Sequence, residues 1–141
     1  MNKIVFLDID GVLNTFGDKE LISNTFEKTK LENLVNLLLE TESDLVITSD
    51  RRLLSEEREM IENVFDNYMI LVNYLSYKRT HKNRSDEILY YLSFHPCNNY
   101  VILDDNDLGY SESEVLKPHF INTYKSGFTK DLYSKAKELI K

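Results

Sequence analysis

Three places in the chain put oxygen-bearing side chains directly after short apolar runs. Asp8 and Asp10 follow Lys3 to Leu7, Thr48 and Ser49 follow Leu45 to Ile47, and Asp104, Asp105 and Asp107 follow Tyr100 to Leu103. A single Asp in such a place reads well as the cap of a turn or helix. Two acidic clusters at two such ends read better as one site. Brought to a common edge, their charges repel: two unit charges 4 Å apart cost about 4 kcal/mol at an effective dielectric of about 20. A divalent cation removes that cost. Donors that are all oxygen, with hydroxyls and carbonyls nearby, suit Mg2+.

The elements that must position these residues follow from the apolar pattern. Lys3 to Leu7, Leu45 to Ile47 and Tyr100 to Leu103 predict buried parallel strands. Met69 to Val72 is a further apolar run, and Phe120 with Ile121 predicts a short fifth strand. Gly11 to Asn24 reads as a loop. Leu31, Leu34, Val35 and Leu38 recur at helical spacing, with Thr29 and Glu32 as a candidate capping box. Ser55 to Val64 predicts a helix with Ser55 as N-cap. Glu87 to Leu92 predicts another, with Ile88, Leu89 and Leu92 at helical spacing. Thr129 caps a last helix, with Leu132, Ala136, Leu139 and Ile140 facing inward. Strands alternating with helices predict βαβ units and a parallel sheet. Ligands of such sheets bind outside the carboxyl ends of the strands, where the acidic residues lie.

The 141 residues fit one domain, residues 1–141. Apolar residues make up 42% and charged residues 29%, a globular composition. The net charge of -7 excludes a global basic footprint for nucleic acid. One cysteine, Cys97, excludes an internal disulfide and a multi-cysteine zinc site, and it has no activating partner in sequence. His81, His95 and His119 lack ligand spacing. The first apolar run, Ile4 to Leu7, is too short for a membrane span or a signal peptide. The expectation is a cytoplasmic protein with no membrane contact.

The segment Asp8-Ile9-Asp10-Gly11-Val12-Leu13-Asn14 resembles the first motif of the haloacid dehalogenase (HAD) phosphohydrolases. Thr48 resembles the hydroxyl of the second motif. Arg84, before Glu87 and Ile88, resembles the base of the third. Val101 to Asp105 resembles the acidic fourth. Gly127-Phe128-Thr129 is similar to the last helix start of small capless relatives in RNA-repair phosphatases. Those relatives often carry a Trp after the second strand, where this chain has Thr48-Ser49-Asp50-Arg51-Arg52.

The resemblance implies a three-layer α/β/α Rossmann-like fold with about five parallel strands and no cap domain. It implies a Mg2+-dependent phosphomonoesterase. Asp8 would be the nucleophile, forming an aspartyl-phosphate. Asp10 would be the general acid and then the general base. Asp8, Asp10 through its carbonyl, Asp104 and Asp105 would hold the metal. Thr48, Ser49, Gly11, Arg84 and Lys82 would bind phosphate. The superfamily more often uses Lys in the third motif, and Lys82 is two residues from Arg84; the position at a helix start favours Arg84.

Lys78 to Arg84 holds five basic-type residues in seven, inside an acidic chain. Such a loop suits a phosphorylated polyanion, a nucleotide or a nucleic-acid end; it also fits a solvated surface. Arg51 and Arg52 are candidates for the same rim, and Tyr74 and Tyr77 for stacking a base. Two other readings stay open. One is a receiver-like phosphoacceptor, with Asp50 as acceptor and Lys117-Pro118 as its late pair, although a carboxylate pair at Asp104 has no role there. The other is a catalytically inactive phosphate-binding domain, against which the presence of Asp8, Asp10, Thr48 and Asp104 counts.

Overall fold

The computed structural model describes residues 2–15 and 21–141. In chain order its elements are β1 (Lys3–Leu7), β2 (Leu21–Ile22), β3 (Phe26–Glu27), α1 (Lys28–Thr41), β4 (Ser43–Ile47), α2 (Ser55–Asp66), β5 (Val72–Tyr74), α3 (Arg84–Phe94), β6 (Asn99–Asp104), β7 (Phe120–Asn122) and α4 (Lys130–Leu139). Five strands form a parallel sheet in the order β5-β4-β1-β6-β7. β2 and β3 form a small antiparallel pair inside and beyond the expected Gly11 to Asn24 loop, of which residues 16–20 lie outside the described residues.

β1 is central, and its side chains are buried on both faces, which is why it reads as a continuous apolar run. Period-two alternation sorts the sheet into two cores. Val5, Leu7, Leu45, Ile47, Val101 and Leu103 pack with residues of α1, α2 and α4. Ile4, Phe6, Val46, Tyr100 and Ile102 pack with Ile88 of α3 and with Tyr110 and Leu116. The result is the expected α/β/α arrangement. Each fully buried large apolar side chain contributes about 1.5–3 kcal/mol.

The register aligns the strand ends. Leu7 pairs with Ile47 on one side and with Leu103 on the other. The next residue of each strand is therefore Asp8, Thr48 and Asp104. The chain fills one side of β1 with β4 and β5 before crossing to β6 and β7. This change of direction opens a crevice at the carboxyl edge beside β1.

Local details correct three expectations. α1 starts at Lys28 with Glu27 as its cap residue, and no side chain caps it, so the Thr29–Glu32 box does not form. The Glu27 carboxylate is engaged instead by the Thr15 N–H (2.6 Å), the Thr15 hydroxyl (2.7 Å) and Lys30 (2.7 Å). Ser55 is the first residue of α2 and Leu54 precedes it as the cap position. The third apolar run is shifted: Met69 and Leu71 are exposed, Met69 in a left-handed turn, and the strand is Val72–Tyr74. Thr129 caps α4 as expected, its hydroxyl accepting from the Leu132 N–H at 3.4 Å.

Candidate active site

Ladder hydrogen bonds continue one step past the strands and fix Asp8 and Thr48. The Asp8 N–H donates to the Leu103 carbonyl (3.0 Å), and the Thr48 N–H donates to the Leu7 carbonyl (2.8 Å). Asp8, Asp104 and Asp105 then bring one carboxylate oxygen each within 4.8 Å of one another. Asp104 is buried. Its Oδ1 accepts from the Asn106 N–H (3.0 Å) and its Oδ2 from the Tyr110 hydroxyl (2.9 Å). Burial, and then the negative charge of Asp104, push the Asp8 carboxyl well above the usual carboxylate range; Asp105 adds to this and Arg84 opposes it. Burial also pushes Asp104 up, to about 6, against its two hydrogen-bond donors. Three crowded carboxylates facing one cation, Arg84, are under-compensated and fit a hard, oxygen-seeking cation.

Asp10, expected to offer a metal its backbone carbonyl, turns its side chain to Arg51. Arg51 grips it with two bonds, Nε to Oδ2 (2.9 Å) and Nη2 to Oδ1 (2.8 Å). Asn14 donates to Oδ1 as well, at 3.2 Å. These bonds, the Arg51 one foremost, hold Asp10 below the usual carboxylate range. Arg51 is in turn held by Glu57 at 2.8 Å.

Gly11, expected among the phosphate-binding residues, spends its N–H on Asn14 Oδ1 (3.1 Å), and its carbonyl accepts from the Thr123 hydroxyl (2.8 Å). Its place is decided by space. It has φ +84°, and a Cβ there would lie 2.1 Å from Asp105 Oδ2. Gly11→Ala is therefore expected to cost at least about 1–2 kcal/mol from the backbone alone, and more from displacing Asp105. A thermal melt equal to that of the natural chain would refute this account of Gly11.

The donors surround the acids. Thr48 is buried, and its hydroxyl has no hydrogen-bond partner. Ser49 is buried at the same turn, and its hydroxyl accepts from the Arg51 N–H at 3.2 Å. Arg84 begins α3. Its Nη2 bonds Asp50 Oδ1 (3.1 Å), and its Nη1, buried and without a hydrogen bond, lies 3.9 Å from Asp104 Oδ2. Lys82 stays exposed at the rim. Of the two third-motif candidates, the fold brings Arg84 to the carboxylates. Asp8, Asp10, Ser49, Arg84 and Asp104 line one cleft of about 680 Å³, with Arg79 and Lys82 at its mouth. Asp107 also borders it, but it is exposed and occupied by Ser111.

Several residues escape sequence reasoning. Arg52, expected on the rim, is completely buried. It bonds the Thr48 carbonyl (2.6 Å), the Ser49 carbonyl (3.3 Å) and Glu87 Oε2 (3.0 Å). Glu87 is buried too and accepts from the Thr80 N–H at 2.9 Å. Arg52 thus ties the turn after β4 to the basic loop and to α3. Nothing in a pair of adjacent arginines says which will be buried. Tyr110 carries no sequence signal for its bond to Asp104. Asp50, the acceptor of the receiver reading, is instead paired with Arg52, Arg79 and Arg84. Burial pushes the Cys97 thiol up, in keeping with a structural cysteine.

Among the described residues, no helix is long and apolar enough to cross a membrane. No second folded unit is inserted between β1 and β4 or between β4 and β6 among them. Neither curated proteins nor solved structures give a match. A family of protein domains does: residues 4–132 match the HAD domain in Swiss Army Knife RNA repair proteins. That match spans the first acidic pair, the turn after β4, the start of α3 and the second acidic pair, and with it the chain belongs to this family of HAD domains, whose type of function is phosphohydrolysis.

Proposed function

We propose that this protein is a Mg2+-dependent phosphomonoesterase that removes a terminal phosphate from a nucleic-acid end through an aspartyl-phosphate on Asp8. One observation carries the reading. Three crowded carboxylates meet two buried donors that make no hydrogen bond, the Thr48 hydroxyl and Arg84 Nη1, at one sheet edge. A cation would satisfy the first group and phosphoryl oxygens the second. The family's RNA-repair description and the basic loop support a nucleic-acid end as substrate.

Asp8, Asp104 and Asp105 would hold Mg2+, with the Asp10 carbonyl as a further ligand. Bound there, Mg2+ supplies charge neutralisation between the carboxylates and the phosphate. The Thr48 hydroxyl, the Ser49 N–H and Arg84 orient the phosphoryl oxygens. The Asp8 carboxylate attacks phosphorus, and the bond to the leaving oxygen breaks. Asp10 gives that oxygen a proton. Asp10 then takes a proton from the water that cleaves the acyl phosphate. Arg51 keeps Asp10 ionised, the form needed for this second step. Donating the proton in the first step requires Asp10 to leave the Arg51 grip. With no cap over the cleft among the described residues, water reaches the intermediate and hydrolysis prevails over transfer.

The test is phosphate release from a small aryl phosphate and from end-phosphorylated RNA, with and without Mg2+. Release that needs Mg2+ is expected; release in excess chelator would overturn the metal role. Asp104→Ala should shift the Mg2+ titration to concentrations higher by at least about tenfold. An unchanged titration would remove Asp104 from the ligand set. Arg84→Ala should lower kcat/KM on every substrate, while Lys82→Ala should raise KM for RNA and leave kcat alone. A larger loss of kcat in Lys82→Ala than in Arg84→Ala would return the third-motif assignment to Lys82.

A further inference from the structure

The structure holds a second cleft, of about 420 Å³, between the sheet edge at β5 and α3. Tyr74, Tyr77, Tyr90, Tyr91 and Phe94 line it. Three of these rings are unusually open to solvent: Tyr77 is 64% exposed, Tyr90 48% and Phe94 66%. Tyr90 and Phe94 are one helical turn apart on α3 with ring centres 5.1 Å apart, and His81 of the basic loop sits 5.1 Å from Tyr90. Arg58 lies 4.6 Å over the Tyr77 ring. Aromatic groups gathered in one open groove mark a binding surface.

Continuity with the candidate active site says what binds. The loop between β5 and α3 is a wall of both clefts. Ser76 and Tyr77 line the aromatic one; Arg79, Lys82 and Asn83 line the acidic one. Tyr77 and Arg79 are two residues apart, so at most about 7 Å of backbone separates the clefts there. Lys78, Arg79 and Lys82 put positive charge along this passage in a chain of net charge -7. A ligand that enters the acidic cleft by its phosphate, follows the cations and then offers flat rings is a single nucleic-acid strand. A protein strand added to the sheet edge is the weaker candidate. β5 is only three residues long, and Asn73 turns its side-chain amide back onto the Leu45 carbonyl at 3.1 Å.

We infer that the groove of Tyr77, Tyr90 and Phe94 stacks bases of the single strand whose terminal phosphate occupies the acidic cleft. This inference rests on the nucleic-acid-end reading of the function. The basic loop carries the intervening backbone. Stacking on aromatic side chains tolerates any base, so the site selects for a single-stranded end and not for a sequence.

The experiment compares RNA dinucleotides and octanucleotides, each phosphorylated at either the 5′ or the 3′ end. In the natural protein kcat/KM should be higher for the octamer at the preferred end. In Tyr90→Ala/Phe94→Ala the octamer-to-dimer ratio should fall by between about 5-fold and 150-fold, through KM. Tyr77→Ala, in an exposed loop, should act in the same direction and covers a loss of folding in the double variant, which its thermal midpoint reports. A ratio of one in the natural protein, or a ratio that the variants leave unchanged, overturns the groove. A second arm uses a fluorescent octamer without a terminal phosphate and reads anisotropy. Binding that the variants weaken supports the groove even if no substrate releases phosphate, in which case the phosphatase reading is what fails. Octamer binding unaffected by the variants, with self-association that they abolish, would make the groove a protein interface and overturn the inference.

Discussion

Asp8→Asn is expected to reduce phosphate release by at least about 1,000-fold and, in the metal-free protein at neutral pH, to raise the thermal midpoint. The first effect follows from removing the nucleophile, since an amide oxygen attacks phosphorus poorly and forms no stable acyl phosphate. The second follows from electrostatics. Burial and the charges of Asp104 and Asp105 raise the Asp8 carboxyl above its unfolded value. A raised carboxyl favours folding only where it stays protonated, so its contribution is present below the ordinary value near 4 and is lost as pH rises toward the folded one. Asn stays neutral throughout. In chelator, the variant and the natural chain should therefore melt alike near pH 4 and separate in favour of the variant by pH 7. Mg2+ should narrow the gap, because it offsets the repulsion in the natural chain alone. A variant that melts lower at pH 7 without metal would contradict the crowded-carboxylate description. A variant that keeps its turnover would remove Asp8 as nucleophile.

The second large effect is expected at a residue that need not touch substrate. Arg52→Met removes the close partner of the buried Glu87 and leaves it only the longer pair to Arg84, 3.8 Å away. It also removes the donors to the Thr48 and Ser49 carbonyls. Breaking a buried pair from one side costs about 3–5 kcal/mol. That is a large share of the roughly 5–15 kcal/mol of a domain this size. A fall of roughly 10 °C in the melting temperature corresponds to it. Adding Glu87→Gln should recover part of the loss, because it removes the under-compensated charge and keeps an acceptor for the Thr80 N–H. The neighbouring Arg51→Met breaks a partly exposed pair and should cost only about 1 kcal/mol. Equal melting temperatures for the two variants would show that the Arg52 network is not a structural brace.

The contrast between these two arginines marks the limit of what the residues reveal in order. The strands and the acidic convergence are legible because an apolar run ended by Asp has one physical meaning in a parallel sheet. Register then places Asp8, Thr48 and Asp104 together. Arg51 and Arg52 are indistinguishable as letters. The short 3-10 turn of Asp50–Leu53 directs one to Asp10 and buries the other, and hydrophobic periodicity carries no trace of that. β5 was displaced for a similar reason. Its position is set by pairing with β4, Leu45 to Val72 and Ile47 to Tyr74, not by the apolarity of Met69 and Leu71. The caps of α1 and α2 differ because the chain enters each helix before the Thr or Ser that could have capped it.

The central position of β1 also sets an order of events in synthesis. β1 has partners on both sides, and one of them, β6, lies far from it in sequence. While the nascent chain ends short of Asn99, β1 presents a bare edge of unpaired amides and carbonyls on the side where Asp104 belongs. Contacts between segments this far apart in sequence form slowly, and an unpaired edge invites association with other chains. The acidic cluster joins residue 8 to residues 104 and 105, so it cannot form before β6 has been made. The protein therefore gains its charge-dense centre only when the sheet is nearly closed, and an incomplete chain has no centre to load.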